Sequence, residues 1–189
     1  IKGDTLKKNL EKFCTQYEKG RLNLNCRNTR NIGEETALLS GFNSPPYRIG
    51  QIVGPAIDYR YYISIGSLDV AEIISELLSD GVKPSDIILL SRFRFENSGV
   101  FNVNGGNNFK IVDTEGDVPV SPVPAIRFFT IQAFKGMESP VVILCDVDQV
   151  SDEEPQCLLY VAMSRARSQL TMLVHEQVKP LISDCVRRK

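Results

Sequence analysis

The 189-residue chain is poor in the residues that several function classes require. It has one histidine, His175, so a multi-histidine metal centre is excluded and a His-based triad is not expected. At the end of a strand-like run, His175 reads as a strand-end or surface residue. The five cysteines (Cys14, Cys26, Cys145, Cys157 and Cys185) are odd in number and form no C-x-x-C. That pattern fits reduced thiols in an intracellular, cytoplasmic protein and gives neither a disulfide framework nor a zinc site. No apolar run approaches the roughly 20 residues of a membrane-spanning helix, and no signal peptide is visible. A Gly-Lys dipeptide occurs nowhere, which excludes the G-x-x-x-x-G-K-[ST] phosphate loop. The formal net charge of −1 argues against a wholly basic nucleic-acid coat but leaves room for a local basic groove.

What is present is a globular α/β pattern. The apolar fraction of 42% is enough for a packed core. Helical spacing appears at 4–19, from Asn28 or Thr29 to Leu39, from Ser67 to Gly81, at 156–167 and at 177–186. Strand-like runs fall at 21–25, 56–64, 87–90, 126–131, 141–145 and 169–174. Residues 41–55, with Pro45, Pro46, Gly50, Gly54 and Pro55, read as a loop. The continuous apolar runs Ile87–Leu90 and Val141–Cys145 suit strands buried on both faces, so the alternation implies a three-layer, mostly parallel sheet. Residues 96–125 change character. Their Asn/Gly turns between short apolar runs predict a small hairpin-like β insertion, with a flexible loop as the competing view.

Three segments could carry chemistry. In Leu22-Asn-Leu-Asn-Cys-Arg-Asn-Thr-Arg-Asn-Ile32, Arg27 lies between a strand and a helix start. Such a position is expected at the carboxyl edge of a parallel sheet, beside a helix N-terminus that favours anions; a solvated loop arginine is the alternative. In Phe128–Asp146, a strand ends in Thr130 and Gln132, groups able to donate to nucleic-acid phosphate. Lys135-Gly136 and Glu138 follow, Gly136 permitting close backbone approach or simply ending a helix. Asp146 imitates a magnesium-holding strand end, but without a phosphate loop it reads as a strand-end polar residue. Asp152-Glu153-Glu154 reads as a solvated acidic turn leading into a helix at Gln156. In Leu158–Val174, an apolar segment carries Arg165 and Arg167 into a core strand. Arginine cannot shed its charge there, so Arg165 needs a phosphate or a structural carboxylate. Arg167 is left without a role beyond surface or structural pairing.

Taken in order, these segments resemble motifs IV, V and VI of superfamily 1 helicases of the UvrD/Rep type. They stand here as Asn25-Cys26-Arg27-Asn28-Thr29, Thr130-Ile131-Gln132-Ala133-Phe134-Lys135-Gly136-Met137-Glu138 and Tyr160-Val161-Ala162-Met163-Ser164-Arg165-Ala166. The resemblance implies a RecA-like (P-loop NTPase-like) α/β domain over 1–189, the second of the two such domains in these helicases. It implies that Arg27 and Arg165 close on the γ-phosphate of ATP, with Gly136 and Glu138 near its phosphates and ribose. Thr130, Gln132 and Lys135 would meet single-stranded DNA. Arg27, Glu138 and Arg165 should then converge on one face, at the carboxyl edge of the sheet. ATP with Mg2+ would be held mainly by a first helicase domain, which supplies the phosphate loop. Since the chain opens at Ile1 and lacks that loop, it is expected to be the C-terminal part of a longer polypeptide, inactive alone. The second reading is a non-catalytic helicase-like scaffold binding nucleic acid or protein. The sequence departs from the family pattern at two notable places. Cys26 stands where an aromatic residue often stacks on adenine, so base selectivity is weak or supplied elsewhere. Gln132 replaces a histidine and keeps a donor without a titratable charge.

Overall fold

The computed structural model describes residues 24–42, 46–48, 50–64, 70–103, 106, 108–114 and 122–187. The helix expected at 4–19 lies outside them, as does most of the strand at 21–25. Among the described residues the chain forms α1 (Arg30–Ser40), β1 (Asp58–Tyr62), α2 (Val70–Ser79), β2 (Ile87–Ser91), β3 (Lys110–Asp113) and β4 (Ala125–Thr130). It continues with β5 (Ser139–Val147), α3 (Glu153–Met163), β6 (Ala166–His175) and α4 (Lys179–Arg187). The strands make one six-stranded sheet in the order β1-β6-β5-β2-β4-β3, and every pairing in it is parallel.

Alternate side chains of β2 enter opposite cores, which is why its sequence is continuously apolar. Ile88 and Leu90 join Ile32, Leu39, Leu159, Met163 and Ile182 beneath α1, α3 and α4. Ile87 and Leu89 join Val70, Ile73, Ile74 and Leu77 of α2. The three-layer α/β architecture expected from the sequence is therefore present.

The local boundaries differ in three ways. The 96–125 segment is not a hairpin among its described residues. Its one strand, β3, runs parallel to β4 at the edge of the main sheet, and Val100 and Phe109 are fully buried against α2's side. An antiparallel turn would have left those side chains without a core. Second, the acidic run 152–154 is not a turn before the helix. Asp152 is the N-cap of α3, and Glu153 and Glu154 form its first turn, where carboxylates favour the helix dipole. Third, α3 ends at Met163, so neither Arg165 nor Arg167 is helical. The Ser139 amide donates to the Arg165 carbonyl, and Ala166 pairs with Ser139; sheet pairing takes over the backbone and ends the helix early.

Asp146 has a structural post. It lies on the β5 irregularity between Leu144 and Val147, with φ of 58°, and is 3% exposed. Its carboxylate accepts from Ser91 Oγ at 2.5 Å, Ser98 Oγ at 2.6 Å and the Gly99 amide at 3.0 Å. It thereby ties the start of the 96–125 segment to the sheet. His175 is likewise structural: Nδ1 accepts from the Gln177 amide, and Nε2 lies 2.9 Å from the Ile63 carbonyl.

Candidate functional site

The loop bearing Arg27 is built by asparagines. Asn25 Oδ1 accepts from the amides of Arg27 and Asn28, a local turn that aims the Arg27 side chain outward. The Asn28 amide group, 6% exposed, donates to the carbonyls of Ser164 and Ala166, and Gln51 donates to the Asn28 carbonyl. The Thr29 amide donates to the Arg167 carbonyl at 3.1 Å. The loop is thus clamped onto the α3–β6 junction, which brings Arg27 and Arg165 together although 138 residues separate them in sequence.

This meeting place is the amino edge of the sheet, not the carboxyl edge expected from the strand–loop–helix pattern. Glu138 immediately precedes β5, and Arg165 immediately precedes β6. The pattern misled because the short 21–25 run is not a strand of the main sheet in its described part; Asn25 makes only an isolated bridge to Tyr47. The helix N-terminus is not an anion site either. The Arg30 and Asn31 amides donate to the carbonyls of Ile52 and Val53, and Thr29 caps without a side-chain bond. The charge at this edge therefore comes from side chains.

Glu138 lies between two of them. Arg27 Nε is 3.2 Å from one carboxylate oxygen and Arg167 Nε is 3.6 Å from the other. All three groups are about half exposed, so the pairing contributes little stability and is open to exchange. Arg165 is held differently. Its Nε donates to the Val161 carbonyl at 2.9 Å, Nη1 to the Met137 carbonyl at 3.2 Å and Nη2 to Ser164 Oγ at 2.9 Å. Among the described residues no carboxylate lies within ion-pairing distance of it. Burial, followed by the Arg27 charge, lowers the Arg165 pKa. Arg165 stays charged all the same, because guanidinium does not deprotonate in proteins. Among the described residues it is therefore a positioned, partly desolvated cation without a paired anion.

Two cavities flank these arginines. One, of about 390 Å³, is lined by Arg27, Arg48, Gln51, Arg167 and Ser168 among others. The other, of about 220 Å³, is lined by Cys26, Arg27, Phe42, Tyr160, Ser164 and Arg165 among others. Arg48 was hidden in sequence by its loop, and Arg167 by the expectation that it was helical. The sequence signal for Arg167 was its place two residues past Arg165: once the chain is extended there, alternate residues share a face.

The residues expected to meet nucleic acid lie elsewhere. Thr130 pairs with Ser91, and the preceding Leu90 pairs with Leu144, so Thr130 is level with Cys145. That is six residues beyond Ser139, or roughly 20 Å along the strand. Thr130 Oγ1 accepts from the Ala133 amide. Exposed Gln132 lines a separate cavity of about 350 Å³ with Arg92, Phe93 and Gln149. Lys135 and Gly136 are exposed on the connecting turn, where φ of 93° at Gly136 requires glycine. The structure therefore unites Arg27, Glu138 and Arg165 and sets Thr130 and Gln132 at the opposite edge. Among the described residues no cluster of three or more His, Cys, Asp or Glu could hold a metal ion, and no helix is long and apolar enough to cross a membrane.

Comparison with known proteins bears on this arrangement. Residues 125–173 match the model of the UvrD-like helicase C-terminal domain, a span that holds Thr130, Glu138, Arg165 and Arg167 but not Arg27. The fold is shared with the C-terminal domain of a possible DNA helicase from Lactobacillus plantarum WCFS1, at a TM-score of 0.57 and 18% identity, covering 83% of this chain and 91% of that one. The C-terminal part of the Fun30 ATPase domain matches less well, at a TM-score of 0.34 and 14% identity over 60% of this chain and 44% of that one, and carries no argument. No curated protein matches. Residues 125–173 are thus similar to a UvrD-like helicase C-terminal domain, and the solved structure shares the fold of the chain.

Proposed function

We propose that this domain is the nucleotide-closing half of an ATP-dependent DNA helicase or translocase, with Arg27 and Arg165 directed at the γ-phosphate of ATP. One observation carries the reading: Arg165 is fixed by three backbone and hydroxyl contacts beside Arg27, yet has no carboxylate partner among the described residues. A positioned guanidinium of this kind fits a phosphoryl group, whose oxygens accept its fork of donors. The donor set suits phosphate and not a metal, so Mg2+ belongs to the domain that binds the nucleotide first.

When ATP is bound, its γ-phosphoryl group accumulates charge as it transfers. Arg165, already oriented, neutralises that charge without reorganising, and Arg27 joins it on release from Glu138. Glu138 gives up its hold on Arg27 as the phosphates arrive and accepts from the ribose hydroxyls. Thr130, Gln132 and Lys135 contact the backbone of single-stranded DNA, so closing and reopening around ATP moves the domain along the strand.

The test joins this chain to a helicase domain that carries a phosphate loop, and measures DNA-stimulated ATPase. Arg165→Ala and Arg27→Ala should each lower kcat by roughly 10³–10⁵, the range of arginine fingers, with the circular dichroism spectrum unchanged. This chain alone should hydrolyse no ATP. Near-normal turnover in both variants would sink the assignment, as would Arg165-dependent turnover by the isolated chain.

A further inference from the structure

Arg167 faces the same cavity as Arg27 but is not among the groups directed at phosphate. Its backbone is fixed at the start of β6. The Arg167 carbonyl accepts from the Thr29 amide at 3.1 Å, which ties it to the loop of Arg27. The adjacent Ala166 pairs with Ser139, which ties it to Glu138. The side chain is free to move by comparison: it is 55% exposed, and its one polar contact among the described residues is Nε to a Glu138 carboxylate oxygen at 3.6 Å. Arg27 Nε meets the other oxygen of that carboxylate at 3.2 Å. Arg48 lines the cavity as well but pairs with no carboxylate among the described residues.

A carboxylate divided in this way closes on neither guanidinium as a fork. Two parallel N–H to oxygen bonds are the strong form of an arginine–carboxylate pair, and here each arginine is left with a single Nε contact. Without Arg167, both Glu138 oxygens would be open to Arg27, whose loop stays clamped beside them through Asn28. The hold on Arg27 would tighten, and the carboxylate would turn wholly toward it. With Arg167 in place, Arg27 can leave while Glu138 keeps a cationic neighbour. No uncompensated carboxylate then faces an incoming phosphate. Since all three groups are about half exposed, water weakens each contact, and the exchange changes an equilibrium by no more than about fivefold.

We infer that Arg167 is a positioning residue: by occupying one oxygen of Glu138 it keeps Arg27 releasable to phosphate and leaves the carboxylate free to turn to the ribose. The inference rests on the phosphate reading of Arg27 and Arg165. Arg167 touches no reacting atom and acts only through Glu138. A single contact asks for one positive donor and not for a planar fork, so lysine can replace arginine at this position, which it could not do at a bidentate one.

The test uses this chain joined to a helicase domain that carries a phosphate loop, and measures kcat and KM of the DNA-stimulated ATPase with ATP and with 2′,3′-dideoxy-ATP. Thermal melting checks that each variant is folded. Arg167→Ala should lower kcat for ATP about threefold and narrow the preference for ATP over the dideoxy nucleotide, because Glu138 is then drawn to Arg27. Arg167→Lys should restore both. In a Glu138→Ala background, Arg167→Ala should add nothing, since the group it acts through is gone. Arg48→Ala removes the same charge from the cavity and should leave the ratio of the two nucleotides intact. An equal loss with and without Glu138, no loss at all, no rescue by lysine, or a ratio narrowed as much by Arg48→Ala would overturn the inference. Those results leave the arginine reading standing as long as Arg165→Ala still cripples turnover. If Arg27→Ala and Arg165→Ala both keep near-normal turnover, the phosphate reading falls and this inference with it.

Discussion

Replacing Asp146 by alanine should destabilise the domain by about 3–5 kcal/mol. The carboxylate is 3% exposed and accepts from two hydroxyls and the Gly99 amide. Net hydrogen bonds to a charged group contribute about 1.5–3 kcal/mol each, and a buried amide left without an acceptor costs about 1–3 kcal/mol. The serine hydroxyls can turn to other acceptors, so the three terms do not add in full. The backbone adds its own cost, because φ of 58° is tolerated by Asp and poorly by alanine. Asp146→Asn should cost less, about 2 kcal/mol, since asparagine accepts the left-handed conformation but points one amide donor at groups that are themselves donors. Equilibrium urea unfolding, followed by circular dichroism and tyrosine fluorescence, gives both values. Hydrogen exchange at the Gly99 amide gives a local check, because loss of the carboxylate should release the 98–100 segment before the sheet opens. An alanine variant within 1 kcal/mol of the native domain, with Gly99 exchange unchanged, would show that Asp146 does not secure this segment.

Gly54→Ala should cost more than Gly81→Ala. Both glycines have positive φ, of 77° and 83°, but a Cβ at Gly54 would sit 2.5 Å from Thr29 Cβ, whereas nothing lies within 4 Å at Gly81. About 1 kcal/mol is expected at Gly81 and about 2 kcal/mol or more at Gly54, read as shifts in thermal midpoint; equal shifts would refute the packing argument. Stability should also fall above pH 9. Burial pushes the Cys145 thiol and the Tyr62 phenol up from their ordinary values of 9.0 and 10.0. The folded state then keeps protons that the unfolded chain has released, and their contribution is whole below those ordinary values and lost as pH rises past them, by up to about 1.4 kcal/mol per pH unit per group. Urea midpoints from pH 8 to 10.5 should decline, and Tyr62→Phe should flatten the decline; a level profile in the native domain would contradict it.

Much of the architecture was legible because buried parallel strands have to be apolar along their whole length. Ile87–Leu90 and Val141–Cys145 announced themselves in that way, and their spacing left room only for crossover helices. Motif residues could be picked out individually, since Arg165 in an apolar segment has few affordable explanations. Edges were harder to see. A residue's place at the amino or carboxyl end of a sheet depends on which strand it follows, and the loop at Arg27 follows no strand of this sheet among the described residues. The end of α3 was equally hidden, because it is set by Ser139 competing for the backbone at Arg165 and Ala166, a partner distant in sequence.

By itself, the sequence determined the α/β class, the strands that form the centre of the sheet and the need for acceptors around the Arg165 guanidinium. These follow from local rules: hydrophobic period, turn chemistry, and a charge that cannot be neutralised. Only the tertiary structure decided that Arg27 and Arg165 share a cavity, that Glu138 is divided between Arg27 and Arg167, and that Phe42 and Tyr160 stand beside them. It also decided that Asp146, which imitates a metal ligand in sequence, is enclosed by Ser91, Ser98 and Gly99. Each of these depends on contacts across many residues, which the chain acquires only when parallel pairing and two buried faces bring distant segments into register.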